Sequence, residues 1–271
     1  MRAEYDDFAD VYEHSIEDSP IAAQSLPFYT RLYVSCPGDV VELGVGTGRI
    51  AIEAARAGKR VIGVDNSPRM LGECRRRAKE AGVADRLTLV QGDFRDFALP
   101  APVALIAMPF HTICDIADAG DRCRVLERVA ASLLPGGRFV FDHFVFDAEL
   151  AARFNNVPHL EAEYTDPATG NDVLFWTCGI YNFEERTIRV IAWSDEVDGA
   201  GLVIRRRYRR YTSCWIEQAE MRSELEAAGF DIEALYGDFD GGQADDGATL
   251  NLWIALRRGR SGHAWPSGSV K

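Results

Sequence analysis

The sequence predicts a doubly wound α/β fold: a Rossmann-like, mostly parallel sheet of seven strands, with an inserted antiparallel three-stranded sheet and N-terminal helices. From Asp39 onward, short apolar runs alternate with helix-length amphipathic segments, as in a parallel sheet with crossover helices. From about Val173 this alternation stops, and three runs rich in β-branched and aromatic residues follow one another across short polar turns, which is typical of an antiparallel meander. A chain of 271 residues is long enough to bury a core with such an insertion.

The first part of the chain is predicted to be a helical cap followed by the sheet. Residues 1–37 have aromatic and apolar residues at helical spacing, interrupted by Pro20, and indicate two helices. Residues 38–146 contain helices that begin near Arg49, Pro68 and Asp121. The five strands of this core are VVEL, RVIGVD, LTLVQGD, VALIAM and GRFVFDHFVF.

The remaining chain is predicted to hold the insertion and the end of the sheet. Residues 147–215 contain the meander strands VLFWTCGIYNF, TIRVIAWSDEV and LVIRRRYRRYT. Residues 216–258 return to helix spacing and then form two closing strands, FDIEALYGDF and TLNLWIALRR, which complete seven strands. Residues 259–271 are small and polar, and we expect a flexible tail.

Composition narrows the classes of partner. A net charge of −12 repels phosphate backbones and anionic lipids, so we expect a small-molecule partner, with no nucleic acid and no membrane. The basic run at residues 205–210 is either a phosphate patch or a solvated strand face that prevents edge pairing. The six cysteines have no metal-ligand spacing, and no leader or membrane-length apolar run is evident; we expect a cytoplasmic protein with reduced thiols and no metal.

The glycine-rich segment VVELGVGTGRI is the main sign of a ligand. An apolar strand leads into Gly44, Gly46 and Gly48 and then into a helix, so bare backbone and a helix N-terminus are presented together. Asp65 ends the next strand, at about the 20-residue separation from which a carboxylate can accept hydrogen bonds from ribose hydroxyls. This pattern indicates a nucleotide-like ligand, although Asp65 is also well placed to cap the helix at Pro68.

The carboxyl end of the third strand extends the same edge. Asp93 and Phe94 place a carboxylate and an aromatic ring where doubly wound folds bind their ligands. A dinucleotide-dependent dehydrogenase is the alternative for this set of motifs. However, the glycine spacing is G-x-G-x-G, and Glu42 beside the turn disfavours a pyrophosphate there.

With that spacing, the chain resembles the class I S-adenosylmethionine-dependent methyltransferases over residues 38–146 and again in the closing strands. The motifs ELGVGTG, GVDNSPRML, QGDF and LLPGGRFVF agree in order. The resemblance implies S-adenosylmethionine as cofactor, with Glu42 and the glycine backbone at its amino-acid end, Asp65 at the ribose, and Asp93 with Phe94 at the adenine. It further implies that Asn66 and Met70 flank the adenosine and that Met108 contributes backbone near the methyl group. In similar enzymes an N-terminal helix such as the one with Tyr12 closes over the cofactor.

Two histidines at the same edge are candidate catalytic bases. His111 follows strand four, where the methyl group would emerge, and a neutral imidazole accepts a proton readily near pH 7. His143 near the end of strand five is the second candidate, although its phenylalanine neighbours equally indicate packing. The alternative for His111 is a passive loop residue.

The aromatic insertion and the N-terminal helix are expected to form the acceptor wall, a homodimer contact, or both. The segment YRRYTSCWIEQAEMRSELEAAGF resembles small-molecule N-methyltransferases, including the aminosugar and glycine N-methyltransferase-like groups, which implies methyl transfer to a small-molecule nitrogen. Alternatives are an O-methyltransferase of a natural product and a non-catalytic cofactor-binding subunit. The candidate substrate residues are Tyr5, Phe110, Tyr181, Trp193 and Tyr211.

Overall fold

A computed structural model describes residues 6, 9, 12, 16, 19–166, 169–245 and 247–259. The first helices and strands alternate as the sequence predicts, beginning with α1. In chain order they are α1 (Pro20–Ser35), β1 (Val40–Leu43), α2 (Arg49–Arg56), β2 (Val61–Asp65), α3 (Pro68–Glu80), β3 (Leu87–Gln91), β4 (Val103–Met108), α4 (Ala119–Ser132) and β5 (Leu133–Phe144).

The inserted elements and the end of the sheet follow β5. They are α5 (Ala148–Phe154), β6 (His159–Thr165), β7 (Asp172–Asn182), β8 (Thr187–Val197), β9 (Val203–Cys214), α6 (Gln218–Ala227), β10 (Phe230–Tyr236) and β11 (Leu250–Arg257). Short 3-10 turns lie at Ala84–Arg86 and Thr112–Asp115.

Local capping explains where several helices begin. Ser19 and Ser67 each precede a proline, and their hydroxyls accept hydrogen bonds from Ala22 N and Met70 N at the starts of α1 and α3. Asp118 caps α4 in the same way, so that helix begins at Ala119, slightly before the predicted start. These caps fix the helices that flank the glycine turn and the end of β4.

The main sheet has seven strands in the order β10-β11-β5-β4-β1-β2-β3. Strands β1 to β5 pair in parallel, and β11 pairs antiparallel with both β5 and β10, which confirms the predicted mostly parallel, doubly wound fold. Consecutive strands build outward in opposite directions from the β1 and β4 pair. This switch point opens a crevice at the carboxyl ends of β1 and β4, where folds of this kind bind ligands.

The core lies on both faces of this sheet because successive strand residues point to opposite sides. Phe139, Phe141 and Trp253 belong to the cluster against α4 and α6, and Tyr29 and Val140 belong to the cluster against α1. Strand β5 therefore carries apolar side chains on both faces. A polar side chain near its end is buried whichever way it points.

The insertion is a separate antiparallel sheet of four strands, in the order β6-β7-β8-β9. The expectation of three strands was wrong, because β6 (HLEAEYT) is exposed or half-exposed at every position and has no apolar run. Charged residues are common on such edge strands. The short helix α5 was also not predicted.

The described part of the chain has no feature of a helical membrane span or of a clustered metal site. None of its helices has the length and apolar character needed to cross a membrane. Within the same residues, no cluster of three or more His, Cys, Asp or Glu side chains is arranged to hold a metal ion. The six cysteines are all free thiols. Beyond Gly259, the predicted tail lies outside the described residues.

Candidate active site

The turn between β1 and α2 exposes backbone to the crevice. Gly44, Gly46 and Gly48 have φ angles of 74°, 54° and 85°, in the left-handed region that favours glycine. A Cβ on Gly48 would lie 2.5 Å from the Cys74 Sγ, so packing against α3 requires a glycine there. A Cβ on Gly46 would meet nothing nearer than 3.9 Å. Gly46 therefore leaves room for a ligand against the turn.

Asp65 connects this turn to the start of α3. Its Oδ2 accepts a hydrogen bond from Gly46 N at 2.9 Å, and its Oδ1 accepts one from Ser67 N at 2.8 Å. Burial raises the pKa of this carboxyl, and the backbone donors partly offset the effect. Asp65 therefore orders the start of α3 and also lies beside the glycine turn. Asn66 next to it is exposed, whereas Met70 is buried.

Glu42 is a buried carboxyl whose charge is not matched by a strong donor. Its side chain is almost inaccessible, and burial raises its pKa to about 8, although Tyr33 and Arg49 act to lower it. Among the described residues, none forms a hydrogen bond with its Oε2. A buried carboxylate is costly without a partner. A cationic ligand group such as an ammonium would supply one, and the site therefore fits the amino-acid end of S-adenosylmethionine.

Asp93, the third predicted cofactor contact, is hydrogen-bonded to Arg95. Oδ1 of Asp93 accepts hydrogen bonds from Arg95 N at 2.9 Å and Arg95 Nε at 2.8 Å, and Arg95 also reaches Asp121 at 2.7 Å. This guanidinium holds the pKa of Asp93 below its usual value. Phe94 is half-buried against the core, and Met108 is fully buried at the end of β4. Asp93 is close to the expected edge but shares its charge with Arg95.

His111 lies beside a fully buried aspartate that the sequence analysis did not single out. Its Nδ1 is 3.1 Å from Asp142 Oδ2, and the same oxygen accepts a hydrogen bond from His111 N at 3.0 Å. The other oxygen, Oδ1, accepts from Phe110 N at 3.0 Å and from the Tyr29 hydroxyl at 2.6 Å. Burial acts to raise the pKa of Asp142, but these donors outweigh it and the net shift is downward. Asp142 is therefore an ionised carboxylate in the core.

His143 lies near the end of β5, and its ring is enclosed in the core. It is fully buried, its Nε2 accepts a hydrogen bond from Trp253 Nε1 at 3.0 Å, and its Nδ1 lies 3.1 Å from Phe144 O. Both ring nitrogens are therefore used within the core. Burial lowers its pKa to about 4. This arrangement does not favour His143 as a base, because its acceptor nitrogen already has a donor, and we do not retain it as a catalytic candidate.

The predicted substrate residues do not form one wall. Tyr181 pairs with Ile188 in the inserted sheet and Trp193 pairs with Trp176, so Tyr181 and Trp193 lie on opposite faces. Tyr211 pairs with Val190 and shares the face of Tyr181.

Tyr181 joins an aromatic cluster that starts directly after β5. Phe146 and Trp215 stack with ring centroids 3.9 Å apart, and Tyr181 and Phe183 each lie near Phe146. This cluster connects the end of the main sheet to the inserted sheet. It is therefore a more coherent candidate wall than the predicted set, which includes Trp193.

Phe110 and Tyr12 are the remaining predicted residues that the structure describes. Phe110 stacks beside His111 with 5.9 Å between ring centroids, and Arg49 lies over the Phe110 ring at 5.1 Å. Tyr12 is half-buried. Tyr5 lies outside the described residues.

Four residues near the site were missed from sequence. Asp142, Tyr29, Tyr33 and Arg49 gather around the switch point from β5, α1 and α2. One signal was present: Asp142 interrupts an apolar strand at a position where no polar group is expected. The tyrosines gave no such signal, because aromatic residues on a helix ordinarily indicate core packing.

Comparisons with known proteins find similar methyltransferase domains. Residues 40–137 match a family described as a methyltransferase domain. Over 147 residues the chain is 29% identical to a probable cobalt-precorrin-6B C(15)-methyltransferase (decarboxylating) of Methanothermobacter thermautotrophicus, covering 50% of this chain and 73% of that protein. It is 28% identical over 158 residues to a carboxy-S-adenosyl-L-methionine synthase of Klebsiella pneumoniae, covering 56% and 63%. The match thus spans less than two thirds of the synthase.

Solved structures match over almost the whole chain. An S-adenosylmethionine-dependent methyltransferase from Clostridium acetobutylicum has a TM-score of 0.75 at 17% identity, covering 94% of this chain and 99% of that one. A sugar N-methyltransferase from a Streptoalloteichus species has a TM-score of 0.69 at 20% identity, covering 96% and 94%. At these identities the likeness shows the fold. Taken together, residues 40–137 are similar to the methyltransferase domain family, and the chain has the fold of the class I S-adenosylmethionine-dependent methyltransferases.

Proposed function

We propose that this enzyme transfers the methyl group of S-adenosylmethionine to the nitrogen of a small-molecule amine. The observation that carries the proposal is that the glycine turn after β1 and His111 after β4 lie at adjacent strand ends across the switch point. A cofactor held at the turn would direct its methyl group toward this histidine. The sulfonium of that cofactor supplies an electrophilic methyl group, so the protein contributes alignment and exclusion of water.

Different residues around the turn would bind different parts of the cofactor. Glu42 would bind the ammonium of the amino-acid end, because its buried Oε2 has no hydrogen-bond partner among the described residues. Asp65 would accept from the ribose by exchanging one of its backbone donors, and the open side of Gly46 leaves the necessary space. At the adenine end, Phe94 would supply an apolar contact. Asp93 would bind there only after releasing part of its contact with Arg95.

The acceptor would approach from the side of His111. About a fifth of this side chain is exposed, at 21%, and among the described residues none forms a hydrogen bond with Nε2. Nε2 is therefore available to take a proton from an incoming ammonium before the free amine attacks the methyl group. A net charge of −12 favours the approach of a cationic amine. The Phe146 and Trp215 stack would form the apolar side of the acceptor site.

Similar structures support nitrogen as the acceptor atom. The sugar N-methyltransferase noted above and an amino pentose methyltransferase from Micromonospora echinaspora, with a TM-score of 0.67 at 20% identity, cover 96% and 92% of this chain. Their likeness extends over the inserted sheet as well as the cofactor domain. For this reason we place amines, including aminosugars, first among the acceptors.

A hydroxyl acceptor is the second candidate. The contact between His111 and Asp142 favours it, because an alcohol or phenol must lose its proton during transfer and so needs a stronger base than an amine does. Both reactions use the same cofactor site. They differ in the acceptor that is turned over.

The test has two stages. Calorimetric titration of S-adenosylmethionine, S-adenosylhomocysteine and NAD is expected to show binding of the two sulfur nucleosides only, weakened in Asp65→Ala and unchanged in the exposed control Asp231→Ala. Methyl transfer is then measured against matched amino and hydroxy sugars and phenols. Turnover restricted to hydroxyl acceptors would overturn the proposal of nitrogen, and binding of NAD alone would overturn the cofactor.

A further inference from the structure

A carboxylate at the centre of the fold holds the turn that carries His111. Asp142 is fully inaccessible, yet it receives contacts from two backbone amides, a tyrosine hydroxyl and an imidazole nitrogen. A buried charge is retained in a core only where several donors compensate it. We propose that Asp142 is the positioning residue for His111: it fixes the imidazole in the tautomer with the proton on Nδ1 and leaves Nε2 to face the acceptor. This inference rests on the proposed function.

The backbone after β4 supports this role. Phe110 and His111 both have φ angles of 60°, in the left-handed region that is unfavourable for a non-glycine residue. Their two amide groups point at the two oxygens of one carboxylate, at 3.0 Å each. The strained turn is therefore held by Asp142. Such strain is found where surrounding structure imposes a functional geometry.

The same oxygen that holds the His111 backbone also orients its ring. Asp142 Oδ2 lies 3.1 Å from Nδ1, at ion-pair distance but outside hydrogen-bond geometry, and an ionised carboxylate has no proton to donate. The negative charge beside Nδ1 favours a proton on that nitrogen, which leaves the lone pair of neutral His111 on Nε2. The negative charge also stabilises the imidazolium that forms when Nε2 takes a proton.

Tyr29 links this arrangement to α1. Its hydroxyl donates to Asp142 Oδ1 at 2.6 Å, so the two carboxylate oxygens accept three hydrogen bonds in addition to the ion-pair contact with Nδ1. An asparagine has a single acceptor oxygen, so Asp142→Asn would leave some of these donors unpaired. The other titratable or charged groups near the pair are Tyr33, Arg49, Cys114 and His143.

The first test measures whether Asp142 acts through His111. With the best amine from the acceptor panel, Asp142→Asn and His111→Gln are each expected to lower kcat by about 10²-fold or more, with little change in the Kd of S-adenosylmethionine. The double variant should be no slower than His111→Gln alone, because both changes remove the same base. Additive losses in the double variant would overturn the proposal. Asp231→Asn, at an exposed ion pair with Arg258, is the matched control and should keep wild-type kcat.

The second test needs no acceptor and separates this inference from the proposed function. Nitrogen NMR of the imidazoles, assigned with His111→Gln, should show the wild-type His111 protonated on Nδ1 at pH 8. In Asp142→Asn the population should shift toward protonation on Nε2. A wild-type His111 protonated on Nε2 at pH 8 would overturn the role of Asp142, even if Asp142→Asn failed to fold. If this NMR result holds while no amine is methylated, only the proposed acceptor fails.

Discussion

Replacing Glu42 with glutamine is expected to change the stability of the protein in a pH-dependent way. Burial raises the pKa of Glu42 from its ordinary 4.5 to about 8, so the folded protein binds this proton more tightly than the unfolded chain does. The contribution of this group to stability is therefore fully present below pH 4.5 and is lost as the pH rises to about 8. Glutamine is neutral throughout this range and has no such dependence.

The magnitude follows from the same two pKa values. At about 1.4 kcal/mol for each pH unit, the difference between 4.5 and about 8 sets a ceiling of about 5 kcal/mol on the lost stability. We expect Glu42→Gln to resemble the wild type near pH 5 and to become more stable than it by a few kcal/mol near pH 8. Saturating S-adenosylmethionine should reverse the order at pH 8, because the ammonium of the ligand compensates the carboxylate in the wild type only.

The assay is urea unfolding followed by tryptophan fluorescence at pH 5, 6, 7 and 8, with and without S-adenosylmethionine. Glu80→Gln is the matched control: Glu80 is exposed on α3 beside Arg76, and its effect should not vary over this range. A difference between Glu42→Gln and wild type that stays constant from pH 5 to pH 8 would refute the assigned burial of an uncompensated carboxyl. An equal stabilisation of both proteins by the ligand would refute its contact with the ammonium.

Three further substitutions test other parts of the structure. Gly48→Ala would place a Cβ 2.5 Å from the Cys74 Sγ at a φ of 85°. Titration calorimetry should therefore show weakened S-adenosylmethionine binding, and scanning calorimetry should show a lower Tm. Unchanged binding would contradict the packing of this turn. Arg122→Met would leave the nearly buried Glu224, which Arg122 contacts at 2.7 Å, without its partner. The free energy of unfolding measured in urea should fall by about 3–5 kcal/mol. A decrease of less than about 1 kcal/mol would argue against the buried pair. His143→Gln should reduce the loss of stability on acidification, because the folded pKa of His143, about 4, lies below its ordinary 6.5, and the stability that the group contributes above pH 6.5 is lost as the pH falls toward 4. The pH profile of methyl transfer should not change in this variant. Loss of a basic group from that profile would restore His143 as a candidate base.

The glycine turn and the elements beside it were predictable because their signals are local in sequence. The glycine turn, the carboxylate at the end of β2 and the capped start of α3 all lie within a single βαβ unit, where short connections fix which residues meet. The regular alternation of strands and helices likewise predicted the seven-stranded sheet. By contrast, the polar edge strand β6 was missed because pairing with β7, rather than its own apolar pattern, makes it a strand.

What the sequence indicated by itself is therefore the fold class and the type of cofactor. Only the tertiary structure decided which histidine has a free nitrogen. His111 and His143 are equivalent in a one-dimensional reading, since both lie near the end of an apolar strand. They are distinguished by contacts with Asp142 and Trp253, which lie 31 and 110 residues away along the chain. Contacts at such separations depend on how β4, β5 and β11 align in the sheet, and no local pattern encodes that alignment.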